Sequence, residues 1–276
     1  MTDLDTLLAA AWETVEAAVR LLHASGPGQV FAKADRDMVS ELDLSIERQV
    51  RQHLQQLTPG IGFLGEEEGQ HGPTDNSWVL DPIDGTANFL RNLPLCGVSL
   101  ALVRDNRPVL GIIALPFLNS TYWAADGLGA WRNQVRITSA ATATLNQAIV
   151  AIGDYAFGSD AAARNPPMHS LHHALAAKVQ RVRMLGSAAA DLAWAADGTL
   201  DASITIGNNP WDVAAGAVIA RQAGAEVLDI DGTAHHLYSA ATIAVTPGIR
   251  AELLETIQRA LPQSSPAGRA PRKATC

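Results

Sequence analysis

Basic residues are in short supply. The 276-residue chain carries 20 Lys and Arg against 28 Asp and Glu, a formal charge of −8, and only 17% of its residues are charged. A general nucleic-acid binder needs a basic face for the phosphate backbone, so that class is set aside. An acidic protein that handles phosphates needs cations to do so. Cysteine is almost missing as well: Cys96 lies inside an apolar run and Cys276 is the last residue, positions too ill-matched for a staple. A reducing cytoplasm is the simpler expectation. No apolar run approaches the ~18 residues of a membrane span, and the opening MTDLDTLL carries acids where a signal peptide needs bases. The expected protein is soluble and cytoplasmic, with neither membrane nor nucleic acid as a partner.

What is present is an apolar chain, 47% hydrophobic, long enough for one large domain or two of about 100–150 residues. Its densest signal is WVLDPIDGTANF at 78–89. Trp78, Val79 and Leu80 read as a buried strand, bounded on the left by the turn-rich HGPTDNS. Asp81 and Asp84 bracket a proline that has no N–H, so the backbone there is expected to leave its ladder and turn. Gly85 permits close backbone approach and Thr86 adds a hydroxyl. Two carboxylates, a tight turn and a hydroxyl are what a divalent cation and a phosphate need together. A solvated turn accounts for the same letters.

Ahead of this stretch, residues 3–24 show helical spacing with Thr2 placed as an N-cap. SGPGQVFAKADRD breaks that helix, and Ser40 then caps a second one whose Leu42, Ile46, Val50, Leu54 and Leu57 form an apolar face. Asp43 in its first turn serves either the helix dipole or a site. IGFL reads as a short strand ending in Gly65, Glu66, Glu67 and Glu68. If it neighbours Trp78–Leu80, Glu66 and Asp81 converge, and like charges at one place require a cation or a raised pKa.

From Leu95 to Trp131 the pattern is an antiparallel meander: CGVSLALV, PVLGIIAL, STYWAA and GAWRNQVRI, with Gly and Asn in the turns. TSAATATLNQ marks a domain boundary, giving 1–140 and 141–262, and the Pro- and Ser-rich 263–276 reads as disordered. Beyond the boundary, strand and helix signals alternate, with helices near 168–179, from about 188, from about 211 and after Pro247, which implies a layered α/β arrangement. Gly186 and Ser187 precede one helix, where free N–H groups could meet a polar ligand, and Asp212 stands at the start of another. Ordinary connections and caps explain the same positions.

GEE at 65–67, WVLDPIDGTANF at 78–89 and WDVAAGAVIARQAGA at 211–225 resemble, in order, the three signature segments of the inositol monophosphatase family. Lys33 with DMVSELD, and RMLGSAAADLAWAADGTLDA, resemble its supporting segments, and the likeness covers about residues 5–260. It implies a layered α-β-α-β-α sandwich, commonly dimeric, that hydrolyses small phosphomonoesters. Two or three Mg2+ are implied per site, with Mn2+ as a substitute and Li+ as an inhibitor. Carried over residue by residue, Glu66, Asp81 and the Ile83 carbonyl would hold a first ion, and Asp81, Asp84 and Asp212 a second. A water held by Glu66 and Thr86, with Asp43 behind the hydroxyl, is the implied nucleophile. Lys33, Gly85, Thr86, Gly186, Ser187, Ala188, Thr205 and Asp212 are the implied phosphate and substrate contacts.

One departure bears on substrate. Where inositol-specific members carry a glutamate that contacts ring hydroxyls, this chain has Thr205. Polyol, sugar or cyclitol phosphates are therefore the expected class, with histidinol phosphate and AMP-like or 3′-phosphoadenosine nucleotides as rivals. The leaving group is expected to face residues near 154–165, 186–188 and 205–209. Ser40 and Ala87 are milder replacements of threonines. A haloacid-dehalogenase-like reading of DPIDGT fits poorly, since there the two acids stand two apart near the chain start. A scaffold retaining the fold would require a missing metal ligand, and none is missing.

Overall fold

Residues 3–261 are described by a computed structural model. Its first half contains α1 (Leu4–Ala24), β1 (Val30–Ala34), β2 (Asp37–Ser40), α2 (Glu41–Leu57), β3 (Gly62–Gly65), β4 (Gly69–His71), β5 (Asn76–Asp84) and α3 (Thr86–Leu90). Five short strands follow: β6 (Gly97–Arg104), β7 (Arg107–Leu115), β8 (Ser120–Ala125), β9 (Gly129–Arg132) and β10 (Val135–Ile137). The second half adds β11 (Ile149–Ile152), α4 (Ala161–Ala176), β12 (Arg181–Arg183), α5 (Ala188–Ala196) and β13 (Ala202–Ile206). It ends with α6 (Pro210–Gln222), β14 (Glu226–Leu228), β15 (Ala241–Val245) and α7 (Arg250–Ala260).

Short connections make an eight-stranded sheet in the order β10-β9-β8-β7-β6-β5-β3-β4, and a five-stranded one in the order β12-β11-β13-β15-β14. α1 and α2 pack on one face of the larger sheet through Leu7, Val15, Ile46 and Val50. α5 and α6 lie between the two sheets, and α4 and α7 cover the outer face of the smaller one. The result is the layered α-β-α-β-α order. Helices covered on two sides must be thin and apolar all round, which is why α5 and α6 are so rich in alanine. At Gly111 of β7 a Cβ would stand 2.6 Å from the Ala215 carbonyl oxygen, so sheet and helix touch backbone to backbone.

Several local readings change. Thr2 and the tail 263–276 lie outside the described residues, and Asp3 takes the N-cap position of α1 without a side-chain bond. SGPGQVFAKADRD is not a plain break: it forms most of the exposed β1–β2 hairpin, turning at Arg36 with φ of 62°. GAWRNQVRI divides into β9 and β10 at Asn133, again in the left-handed region. α4 begins at Ala161 and carries Pro166 and Pro167 in its second turn, where each costs a ladder donor. Leu57 is 43% exposed and does not share the buried face of α2. β5 runs on through Asp84: its pairing with β6 slips between Asp81 and Asp84, so a bulge at Pro82–Ile83 absorbs the missing N–H where a turn was expected. In the second sheet β15 is antiparallel to both of its neighbours, so the sheet is mixed.

Candidate active site

β3 and β5 run parallel, with Gly65 opposite Leu80, so the chain leaving β3 delivers Glu66 beside Asp81. The Glu66 N–H donates to the Leu80 carbonyl at 3.3 Å and fixes that exit. The bulge then turns Asp84 toward the same space, and α6 contributes Asp212 from its first turn. A cavity of about 220 Å³ results, lined by Glu66, Asp81, Ile83, Asp84, Gly85, Thr86, Gly153, Asp154, Gly186, Ser187, Ala188, Asp191, Thr205 and Asp212. Eleven of these positions are among those expected from the sequence; Gly153 and Asp191 are not, and Asp154 enters only as the edge of a segment.

Four of the carboxylates, Glu66, Asp81, Asp84 and Asp212, have identifiable anchors. The Ile83 N–H donates to Asp81 Oδ1 at 3.1 Å. Asp84 accepts from the Ser187 hydroxyl and from the Ala189 N–H at 3.1 Å, which joins β5 to the start of α5. Ser187 is thereby committed to Asp84 and also caps α5 by accepting from the Ala190 N–H. Asp212 closes a capping box with Asn209, whose N–H donates to it at 2.7 Å. Lys33, on the exposed hairpin, donates to Glu66 at 2.9 Å and Glu67 at 2.6 Å and does not itself line the cavity. Among the described residues, no three Asp, Glu, His or Cys side chains form a ready-made metal cage.

Thr86 stands at the start of α3, after Gly85 at φ of 82°. A side chain at 85 would be strained, and its Cβ would lie 2.8 Å from the Leu95 carbonyl oxygen. Thr86 Oγ1 is 3.2 Å from Asp43 Oδ1 and 3.0 Å from the Ile83 carbonyl oxygen. Asp43 is fully buried and receives both the Ser40 N–H at 2.8 Å and the Ser40 hydroxyl. It thus serves as the N3 residue of a capping box and also contacts the cavity-lining Thr86.

Charge is concentrated here. Burial holds Asp81 well above the ordinary carboxylate range, and Glu66, Asp84 and Asp212 add repulsion. Asp84 is raised to about 6 by burial against the bonds from Ser187 and Ala189. Asp212 is raised to about 7 by burial, with Glu66 and Asp84 adding to it against the Asn209 bonds. Burial lifts Asp43 and Asp191 in the same direction. For Lys33, burial works downward but the two glutamates outweigh it and raise its pKa.

Two supporting residues escape a reading of the sequence. Glu47 is fully buried and accepts the Glu67 N–H at 2.9 Å and the Glu68 N–H at 2.6 Å, pinning the loop that carries Glu66. Its signal is available: it follows Asp43 by four and Ile46 by one on the inward face of α2, where a carboxylate must have a task. Asn88 donates to the Leu95 and Leu185 carbonyls, both at 2.8 Å, tying the turn at Gly85 and Thr86 to the second half. No local pattern announces that bond.

The arrangement matches known proteins along almost its whole length. The inositol monophosphatase family model matches residues 3–265. Inositol-1-monophosphatase ImpA of Mycolicibacterium smegmatis is 35% identical, over 92% of this chain and 93% of that protein. A fructose-1,6-bisphosphatase/inositol-1-monophosphatase of Thermotoga maritima is 33% identical over 74% of this chain and 76% of its own. Among solved structures, an inositol monophosphatase from Anabaena superposes with a TM-score of 0.82 at 30% identity, covering 95% of this chain and 98% of that one. Layers and sequence agree, and the chain belongs to the inositol monophosphatase family, whose members are phosphatases that hydrolyse phosphate monoesters.

Proposed function

We propose that this phosphatase is Mg2+-dependent, acts on a small polyol, sugar or cyclitol phosphate, and hydrolyses it by direct attack of water on phosphorus. The observation that carries the proposal is the meeting of Glu66, Asp81, Asp84 and Asp212, from three separate segments, in one cavity whose lining contains no Lys, Arg or His. Buried carboxylates that repel one another are stable only when protonated or when a cation joins them. The donors are all oxygens, which suits a hard divalent ion. Glu66, Asp81 and the Ile83 carbonyl would hold one ion, and Asp81, Asp84 and Asp212 a second. Bound there, such ions neutralise charge on the phosphate and lower the pKa of water.

The chain's own groups supply the rest. The Thr86 hydroxyl has one proton for either Asp43 or the Ile83 carbonyl, which leaves its lone pairs to orient a water. Glu66 takes up the proton of that water, and Gly85 and Thr86 N–H groups hold the phosphate. A water beside Asp212 returns a proton to the leaving oxygen. Gly186, Ser187, Ala188 and Thr205 border the leaving group, and Lys33, from the hairpin outside the cavity, holds Glu66. This assigns the phosphate chemistry to residues 1–140 with Asp212, and substrate selection to 141–262. A homodimer acting in the cytoplasm belongs to the same proposal.

Hydrolysis in oxygen-18 water tests it: a single turnover should place the label in the released phosphate, and EDTA should abolish turnover until Mg2+ is restored. Full turnover in EDTA, or an aspartyl phosphate trapped on Asp81, would sink the reading.

A further inference from the structure

The cavity carries more negative charge than its chemistry needs. Six of its lining residues are carboxylates, and four of these, Glu66, Asp81, Asp84 and Asp212, are taken up by the proposed ions. Asp154 and Asp191 remain, with no basic side chain in the lining to meet them. Both line the cavity beside Thr205 and Gly186–Ala188, positions assigned above to the leaving-group side. Asp154 follows β11 after Gly153 and is exposed at the rim, while Asp191 projects from the first turn of α5. Thr205 of β13 completes the group: a Cβ on Gly153 would lie 3.4 Å from its Cγ2, so the glycine leaves the floor between them open.

Asp191 is the decisive member. It is 2% exposed, and its Oδ1 has no hydrogen-bond partner in the protein. Thr205 Oγ1 is likewise buried and unpartnered. Leaving a buried carboxylate oxygen without a partner costs free energy that an arriving donor recovers. A neutral hydroxyl can give one proton to such a site, whereas an ammonium gives three and cancels a charge.

We infer that the leaving group is an ammonium-bearing alcohol, so that the preferred substrates are phosphomonoesters of amino alcohols or amino sugars, with the ammonium seated on Asp191 and Asp154. This rests on the phosphatase reading above. The same two carboxylates repel a second phosphate at that end, which disfavours bisphosphates and multiply phosphorylated nucleotides.

The test uses two matched pairs that differ only in amine against hydroxyl: glucosamine 6-phosphate with glucose 6-phosphate, and 2-aminoethyl phosphate with 2-hydroxyethyl phosphate. Phosphate release is measured with the Mg2+-loaded full chain, as wild type, Asp191→Asn and Asp154→Asn. In at least one pair the wild type should favour the amine by about tenfold in kcat/KM, the scale of one charge-assisted bond. Asp191→Asn should bring that ratio close to one, and Asp154→Asn, at the exposed rim where folding is not at issue, should lower it less. Parity in both pairs overturns the inference. So does an equal loss on amine and hydroxyl in Asp191→Asn with a changed Mg2+ requirement, which would give Asp191 to the metals. No turnover of either pair or of p-nitrophenyl phosphate would instead defeat the phosphatase assignment of this cavity.

Discussion

At the end of the cavity that holds Asp81, Asp84 and Asp212, each carboxylate already accepts a hydrogen bond from the chain, while at the other end Asp191 Oδ1 and Thr205 Oγ1 accept none. The first end comes from contiguous motifs and is held by Ser40, Glu47, Ser187 and Asn209. The second is assembled from the end of β11, one turn of α5 and the middle of β13, which meet only after folding. Preorganised anchors suit chemistry common to all phosphomonoesters, since the reacting groups must be in place before the substrate arrives. Unpartnered atoms suit recognition, because the molecule that satisfies them is the one selected.

The sharpest way to break the contrast is to attack the anchored end. Asp84→Asn keeps the shape and an acceptor for the Ala189 N–H but removes a charge, and should reduce kcat by about a thousandfold, roughly 4 kcal/mol, while melting stays cooperative. Unchanged turnover would mean that the second ion had been misplaced.

A pH series measures the same strain without mutation. Asp84 and Asp212 titrate in the folded protein near 6 and 7, above the ordinary carboxylate value of 3.8. Between those values the folded state binds more protons than the unfolded one, so metal-free protein loses stability as pH rises through them. His235, pushed down to about 4 by burial, opposes this below about 6.5, yet it is one group against several raised carboxylates. A pKa displaced by one pH unit is worth about 1.4 kcal/mol, so stability should fall by on the order of 3 kcal/mol from pH 5 to 8 without metal. Mg2+ should recover most of it, and thermal melts with EDTA or Mg2+ at both pH values decide the matter. A metal-free protein that is steadier at pH 8 than at pH 5 would refute the charge picture.

What was legible from the sequence follows the same division. Asp81, Asp84, Glu66 and Asp212 sit at strand ends or helix starts within short motifs, so local chemistry plus one family resemblance placed them around one cavity. Ser40 and Asp43 were readable as a cap because a helix start is a local event. Asp191 was not readable: in an alanine-rich helix one acid looks like a surface residue, and only the second sheet packed over α5 turns it inward. Nor was the bulge in β5, since proline announces a lost hydrogen bond but not whether the strand resumes after it. Glu47 lay between, visible by its periodicity and unassigned until the loop it holds was known.

Glu47 offers the next test. A Cβ at Gly65 would stand 2.2 Å from Glu47 Oε1, so Gly65→Ala must displace the carboxylate that receives the Glu67 and Glu68 N–H groups. Two charge-assisted bonds would be strained, at a cost of about 2 kcal/mol in stability. Because the loop also carries Glu66, kcat should fall by roughly tenfold even at saturating Mg2+. Loss of stability with kcat unchanged would show that Glu66 does not depend on this support.

The smallest expected effect sharpens the other end. Thr205 lines the cavity and its hydroxyl has no partner, so a longer acidic side chain there would enter the space proposed for the leaving group. A glutamate can accept from two ring hydroxyls, whereas threonine offers a single shorter group. Thr205→Glu should therefore raise kcat/KM for inositol monophosphate relative to AMP by about tenfold, near 1.5 kcal/mol, with phosphate chemistry unchanged on p-nitrophenyl phosphate. The new charge also adds to Asp154 and Asp191, so the variant should become still less tolerant of a second phosphate, and fructose 1,6-bisphosphate is the probe for that. An unmodified enzyme that already prefers inositol monophosphate by an order of magnitude would take ring preference away from Thr205 and move it to Asn208, whose side-chain oxygen and nitrogen are both buried without partners.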